Sequence, residues 1–110
     1  MLNRKTRYLQ VALNSTLDEA YEIISKLPAS ERIIIEAGTP LIKQYGCEAI
    51  SQLRQWWQER LYGTDILPYV VADLKTIDRG LTEVMIVQNA GASAAIAMGQ
   101  APIETLNIFI

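Results

Sequence analysis

A chain of 110 residues with net charge −2, half of it apolar and a fifth charged, has the size and composition of one folded domain. It is too short for the about 250 residues of a complete eight-stranded α/β barrel, and no apolar run approaches the roughly 18 residues of a membrane span. With no histidine, Ser-His-Asp and Cys-His catalysis and histidine-bound metals are excluded, so any chemistry must run on carboxylates, lysine and a bound cation.

At the N-terminus Arg4, Lys5 and Arg7 form a small basic arm. No basic face recurs, so nucleic-acid binding has no electrostatic footprint. A signal-peptide core is lacking too. The single cysteine, Cys47, has no internal disulfide partner, which fits a reducing cytoplasm, and nothing beside it would activate the thiol. It reads as a small packing residue.

The first strand is predicted over Tyr8–Leu13. Thr16-Leu-Asp-Glu19 is a capping-box pattern, in which the threonine hydroxyl and the glutamate satisfy free N–H groups at a helix start. Leu17, Ala20, Tyr21, Ile24 and Leu27 then repeat at helical spacing up to Pro28. The second strand, Ile33–Ala37, is too continuous to be half exposed and belongs to a covered parallel sheet. A helix follows Gly46 with Ile50, Leu53, Trp57 and Leu61 in one stripe. Trp57 is predicted core, and Trp56, turned about 100° from it, is a candidate second contact surface.

The third strand is predicted over Pro68–Leu74, with proline tolerated at its first position. Leu81–Asn89 is apolar almost all round, which predicts a helix buried on more than one side, or a strand. Gly91 reads as its C-cap. The fourth strand is predicted over Ser93–Met98, and Pro102 with Glu104 opens a last helix. Strand–helix alternation implies right-handed βαβ units and a parallel sheet. Either a small doubly wound sheet or half of a (β/α)8 barrel fits, and in both function gathers at the C-terminal ends of the strands.

Those ends carry Asn14, Glu36, Asp73 with Lys75, and Gly99 with Gln100. Asp73 and Lys75 are two apart and share a strand face. Glu36 is the one charge in a buried strand and needs a partner, with Lys75 and a divalent cation as the available answers. Asp78 reaches the same area from the loop, or a neighbouring subunit. A structural ion-pair network of Glu36, Asp73 and Lys75 is one reading. The other is a hard-cation site with a lysine acid, since Mg²⁺ takes one or two carboxylates plus substrate oxygens and lysine can protonate a developing enolate.

The segments LQVALN, IIIEAGTPLIKQYG and VADLKTID resemble the first three strand motifs of the orotidine 5′-monophosphate decarboxylase suprafamily. The nearest patterns are those of 3-hexulose-6-phosphate synthase and 3-keto-L-gulonate-6-phosphate decarboxylase. Asp73, Lys75 and Asp78 match an Asp-x-Lys-x-x-Asp motif, and Glu36–Pro40 matches an EAGTP or EVGTP segment. The resemblance covers about Tyr8 to the last residue. It implies four βα units, the N-terminal half of a (β/α)8 TIM barrel, over a single domain of residues 1–110 that is a part of a longer barrel or a half-length one.

The resemblance further implies a magnesium-dependent lyase, an aldehyde-lyase or carboxy-lyase, acting on a ribulose 5-phosphate-like ketose phosphate through an enediolate. Glu36 and Asp73 would hold Mg²⁺. Lys75 would be proton donor or electrostatic partner, and Asp73 and Asp78 would join it as catalytic residues, Asp78 in the other subunit's site of a homodimer or higher oligomer. Asn14, Glu36 and Thr39 would contact substrate. Two departures stand out. The family usually has aspartate at the end of strand one, where this chain has Asn14, and asparagine supplies neither a base nor charge. The loops after strands seven and eight, which commonly seat phosphate, have no counterpart, and the helix behind Pro102 opposes an anion with Glu104. Two further readings follow from these departures: a half barrel that pairs with itself or another half through its open edges, and a non-enzymatic scaffold that keeps the motifs as ion pairs.

Overall fold

The computed structural model describes residues 2–110. In chain order it contains β1 (Leu9–Leu13), α1 (Leu17–Lys26), β2 (Ile33–Ala37), α2 (Thr39–Tyr45), α3 (Glu48–Arg60), β3 (Val70–Thr76), α4 (Gly80–Asn89), β4 (Ala94–Ala97) and α5 (Ile103–Phe109). The strands form one parallel sheet in the order β1-β2-β3-β4. The shortest dimension is 20 Å, the thickness of one sheet and one helix layer.

Local sequence accounts for both ends of α1 and for the turn between α4 and β4. The Thr16 hydroxyl accepts from the Glu19 N–H at 3.1 Å, and Asp18 and Glu19 sit in the first turn of α1, where the helix dipole favours negative charge. The chain leaves α1 at Leu27, one residue before Pro28. Between α4 and β4, Gly91 takes φ +101°, and a Cβ there would lie 2.8 Å from Arg54 Cδ. Arg54 fills that space and its Nη1 donates to the carbonyls of Pro68 and Gly91, at 3.3 and 3.2 Å, tying α3 to the start of β3 and the end of α4.

Strand alternation divides the sheet into two unlike faces. Leu13, Ile33, Ile35, Ala37, Val70 and Ala72 point toward the helices and join Ala20 and Ile24 of α1, Leu41 of α2, Ile50, Leu53 and Trp57 of α3, and Val87 of α4 in one core. The opposite face carries Gln10, Ala12, Glu36, Asp73 and Lys75 and has no helix layer over it among the described residues. Helices on one face exclude the doubly wound sheet, which needs both faces covered, and leave the four βα units of a half barrel.

Several expectations change. Thr39–Tyr45 forms a helix that was not foreseen, entered directly from β2 with Pro40 in its first turn; seven residues are too few to show helical periodicity. β3 starts and ends two residues later than the predicted Pro68–Leu74, so Lys75 lies within the strand instead of just beyond it. The predicted double-sided burial of α4 is not met within this chain: Val87 is buried, but Leu81, Met85 and Ile86 are 57%, 51% and 48% exposed. Trp56 is not a free surface either. It packs against the core and meets Tyr21 edge-on, with ring centroids 5.2 Å apart. Among the described residues, no helix is long and apolar enough to cross a membrane.

Candidate active site

The polar residues collect where β2 and β3 run toward α2 and the loop before α4. β2 delivers Glu36, the one charge in IIIEA, and α2 begins three residues later. Its side-chain partner is Gln10 and not the expected Lys75. Gln10 Nε2 donates a hydrogen bond to Glu36 Oε1. Register explains the choice. Ala12 lies opposite Glu36 and Gln10 opposite Ile34, so Gln10 is the diagonal neighbour on the same face. Across β2, Glu36 pairs with Val71, which leaves Asp73 one step and Lys75 two steps further up β3.

Lys75 belongs to a second cluster. Its ammonium pairs with the Asp73 carboxylate and donates to Thr39 Oγ1 at 3.0 Å, and the Thr39 hydroxyl donates in turn to the Asp73 carbonyl at 2.6 Å. Simple alternation would leave Asp73 and Lys75 roughly 6.6 Å apart along the strand. Here Lys75 adopts left-handed φ of 51°, and the pairing jumps from Ala72–Ala95 to Thr76–Ala97. Four residue steps on β3 therefore face two on β4, a bulge that aims the lysine at its partners. The Asp73 side chain is 14% exposed and that of Lys75 52%, so the carboxylate is sheltered and the ammonium meets solvent.

Gly38 holds Asn14 in place. An added Cβ would lie 1.8 Å from Asn14 Oδ1 and 2.9 Å from the Leu13 carbonyl, to which the Gly38 N–H donates at 3.0 Å. The asparagine side chain thus occupies the space the glycine leaves free, at the mouth of β1 beside the start of α2. Asp78 stands apart. It is exposed on the loop between β3 and α4, with no side-chain hydrogen bond or ion pair among the described residues.

Glu36, Asp73 and Lys75 therefore lie on the uncovered face, Thr39 joins Asp73 and Lys75 from the start of α2, Asn14 borders them, and Asp78 is outside. Gln10 and Gly38 escaped the sequence reading. Gln10 had one signal, as the single polar residue inside LQVAL. Among the described residues no three His, Cys, Asp or Glu side chains form a metal cage. Glu36 and Asp73 are two carboxylates on one face of adjacent strands, which fits a cation that takes one or two protein carboxylates and completes its shell with substrate and water, as Mg²⁺ does.

The chain is similar to proteins whose geometry can be set beside this site. It is 46% identical over 101 residues to a bifunctional enzyme Fae/Hps of Methanococcoides burtonii, covering 91% of this chain and 24% of the relative. KGPDC from Streptococcus mutans matches with 30% identity and a TM-score of 0.73, over 93% of this chain and 44% of its own. It has also been solved in complex with a D-pentose 5-phosphate, and that structure matches at 27% identity with a TM-score of 0.73 over 94% of this chain and 46% of its own. 3-hexulose-6-phosphate synthase from Salmonella typhimurium matches with 28% identity and a TM-score of 0.75, over 92% of this chain and 44% of its own. The chain thus spans about a quarter of that curated relative and under half of the solved chains. A family model for the orotidine 5′-phosphate decarboxylase / HUMPS family matches residues 7–110, and the chain belongs to that family.

Proposed function

We propose that these residues form the strand-two and strand-three part of a sugar-phosphate lyase site acting on a ribulose 5-phosphate-like ketose phosphate. The carrying observation is the Thr39–Asp73–Lys75 cluster beside Glu36 on the sheet face without helices. Its support from relatives is the similarity to 3-hexulose-6-phosphate synthase and to a KGPDC solved with a pentose phosphate.

Such a lyase must stabilise an enediolate. Lys75 brings a fixed ammonium to the mouth of the sheet, as proton donor or electrostatic partner. Asp73 keeps that ammonium in place and, with Glu36, would hold Mg²⁺. When bound, the cation would supply positive charge against the developing enediolate. Gln10 orients Glu36 from below, and Asn14 is left to contact a substrate hydroxyl. Asp78, exposed and unengaged within the chain, would complete the site of a second subunit in a homodimer, in the cytoplasm. Residues 1–110 then act as one half-barrel unit.

The test is a melting measurement with Mg²⁺ and ribulose 5-phosphate, separately and together, since a ligand that binds only the folded state raises Tm. The expected result is a rise for the wild type and none for Glu36→Gln. In a barrel that contains this half, Lys75→Ala should lower turnover by about 10²-fold or more. Equal melting of wild type and Glu36→Gln with ligand, or undiminished turnover by Lys75→Ala, overturns the reading.

One observation favours a second reading. Within this chain β1 pairs with β2 alone and β4 with β3 alone, so both outer strands present unpaired backbone. A non-catalytic half barrel that associates with itself or a partner chain would satisfy those edges. Sedimentation separates the two: an assembly that shows no ligand-dependent melting favours the second.

A further inference from the structure

We propose that Thr39 is a positioning residue for Lys75. This rests on the lyase reading for its purpose, but the contact itself stands on geometry alone.

Lys75 is held in a backbone conformation that lysine seldom adopts. Its φ of 51° lies in the left-handed region, and the sheet pairing around it is interrupted. Such a conformation persists only where the surroundings fix it more than once. Asp73 fixes it once, through the ion pair. Thr39 fixes it again from another element, since α2 begins at Thr39 and the bulge belongs to β3. One hydroxyl spans the bulge, donating to the Asp73 carbonyl and accepting from the Lys75 ammonium.

Both functions of the hydroxyl are then used. Its single proton is committed to the Asp73 carbonyl, and one lone pair receives Lys75. The hydroxyl therefore has no proton left to donate to a substrate, and a single lone pair remains open. The arrangement has a further consequence. Asp73 is asked to serve the lysine and a cation together, and a carboxylate that turns toward a cation loosens its grip on the ammonium. Thr39 is neutral, gains nothing from the cation, and keeps hold of Lys75 in either case.

The readout is the acetylation rate of Lys75 by an N-hydroxysuccinimide ester in the ligand-free chain, followed by mass spectrometry with Lys43 of the same molecule as reference. Thr39→Val removes donor and acceptor at nearly constant shape, and Thr39→Ser restores the hydroxyl. The expected result is a Lys75-to-Lys43 rate ratio raised about threefold or more in Thr39→Val, the lower end of what one intramolecular hydrogen bond contributes net, and returned to the wild-type value in Thr39→Ser. Thr39→Ala, which deletes the hydroxyl without adding a methyl group, runs in parallel in case Thr39→Val does not fold. A wild-type ratio in the folded variant that lacks the hydroxyl overturns the assignment, as does an equal rise in Thr39→Ser. No substrate or cation is present, so the outcome is independent of the melting test. A failed lyase reading with a raised ratio leaves Thr39 as the clamp of a non-catalytic ion pair.

Discussion

The two faces of the same sheet follow different rules. Toward the helices, Ile35, Ala37, Val70 and Ala72 are fully buried and meet Leu41, Ile50, Leu53 and Trp57, also fully buried, with no polar side chain in that core cluster. On the uncovered face, the residues next to them in sequence are Glu36, Val71 and Asp73, and the polar ones are held by hydrogen bonds to Gln10, Thr39 and Lys75. Stability and candidate chemistry are thus interleaved residue by residue along β2 and β3. The period of two makes this possible, since a side chain can be exchanged on one face without repacking the other.

If that division is right, the largest effect belongs to the helix side. Trp57→Ala should cost about 3–5 kcal/mol, a large share of the total for a domain of this size. Urea denaturation reads this directly, and a loss below about 1 kcal/mol would mean that the α3 contact matters less than its burial implies.

A middling effect is expected at the border between the faces. Gly38→Ala places a Cβ against Asn14 and the Leu13 carbonyl, for an overpacking penalty of about 1–3 kcal/mol. Backbone strain does not enter, because Gly38 has an ordinary φ of −68°. Adding Asn14→Ala removes the side-chain part of the clash and should recover some of the loss, leaving the Leu13 carbonyl part. A double-mutant cycle showing simple additivity would break the proposed Asn14–Gly38 contact.

The smallest effect belongs to a polar pair that neither face shelters. Glu22 and Lys26 are bonded at 2.9 Å one turn apart on α1, both well exposed. The hydrogen bond from Lys26, and then its charge, hold the Glu22 carboxyl below the usual range. A depressed carboxylate stabilises the fold above its unfolded pKa and loses that contribution as pH falls through its folded value. Glu22→Gln should therefore melt slightly below wild type at neutral pH and low salt. The two curves should converge in acid and in high salt. A difference that survives both would show that exposed pairs matter more here than solvent screening allows.

Much of this organisation was legible. The Thr16 N-cap (without the return bond from the Glu19 side chain that a full capping box would add), the unbroken IIIEA strand and the stripe of Ile50, Leu53 and Trp57 each state their element through local chemistry or periodicity. The motif residues were legible by resemblance; Glu36 and Asp73 share one sheet face, and Lys75 and Thr39 are bonded to Asp73. Less legible was who pairs with whom. Of the side chains expected to meet Glu36, Lys75 does not: Gln10 bonds it instead, because register sets Gln10 diagonally beside it and lifts Lys75 two steps away. α2 was missed because seven residues carry too little pattern. The ends of β3 were misplaced because hydrophobicity stops at Leu74 while backbone pairing resumes at Thr76.

The sequence by itself determined the four strands and the longer helices α1 and α3, and which strand face is apolar, since these follow from spacing along one chain. Only the tertiary structure decided that all helices lie on one face, that β3 bulges at a left-handed Lys75, and that a hydroxyl from α2 reaches across to hold it. Those features depend on register between strands and on the approach of separate elements. Contacts between residues 36 positions apart, as for Thr39 and Lys75, leave no trace in local periodicity.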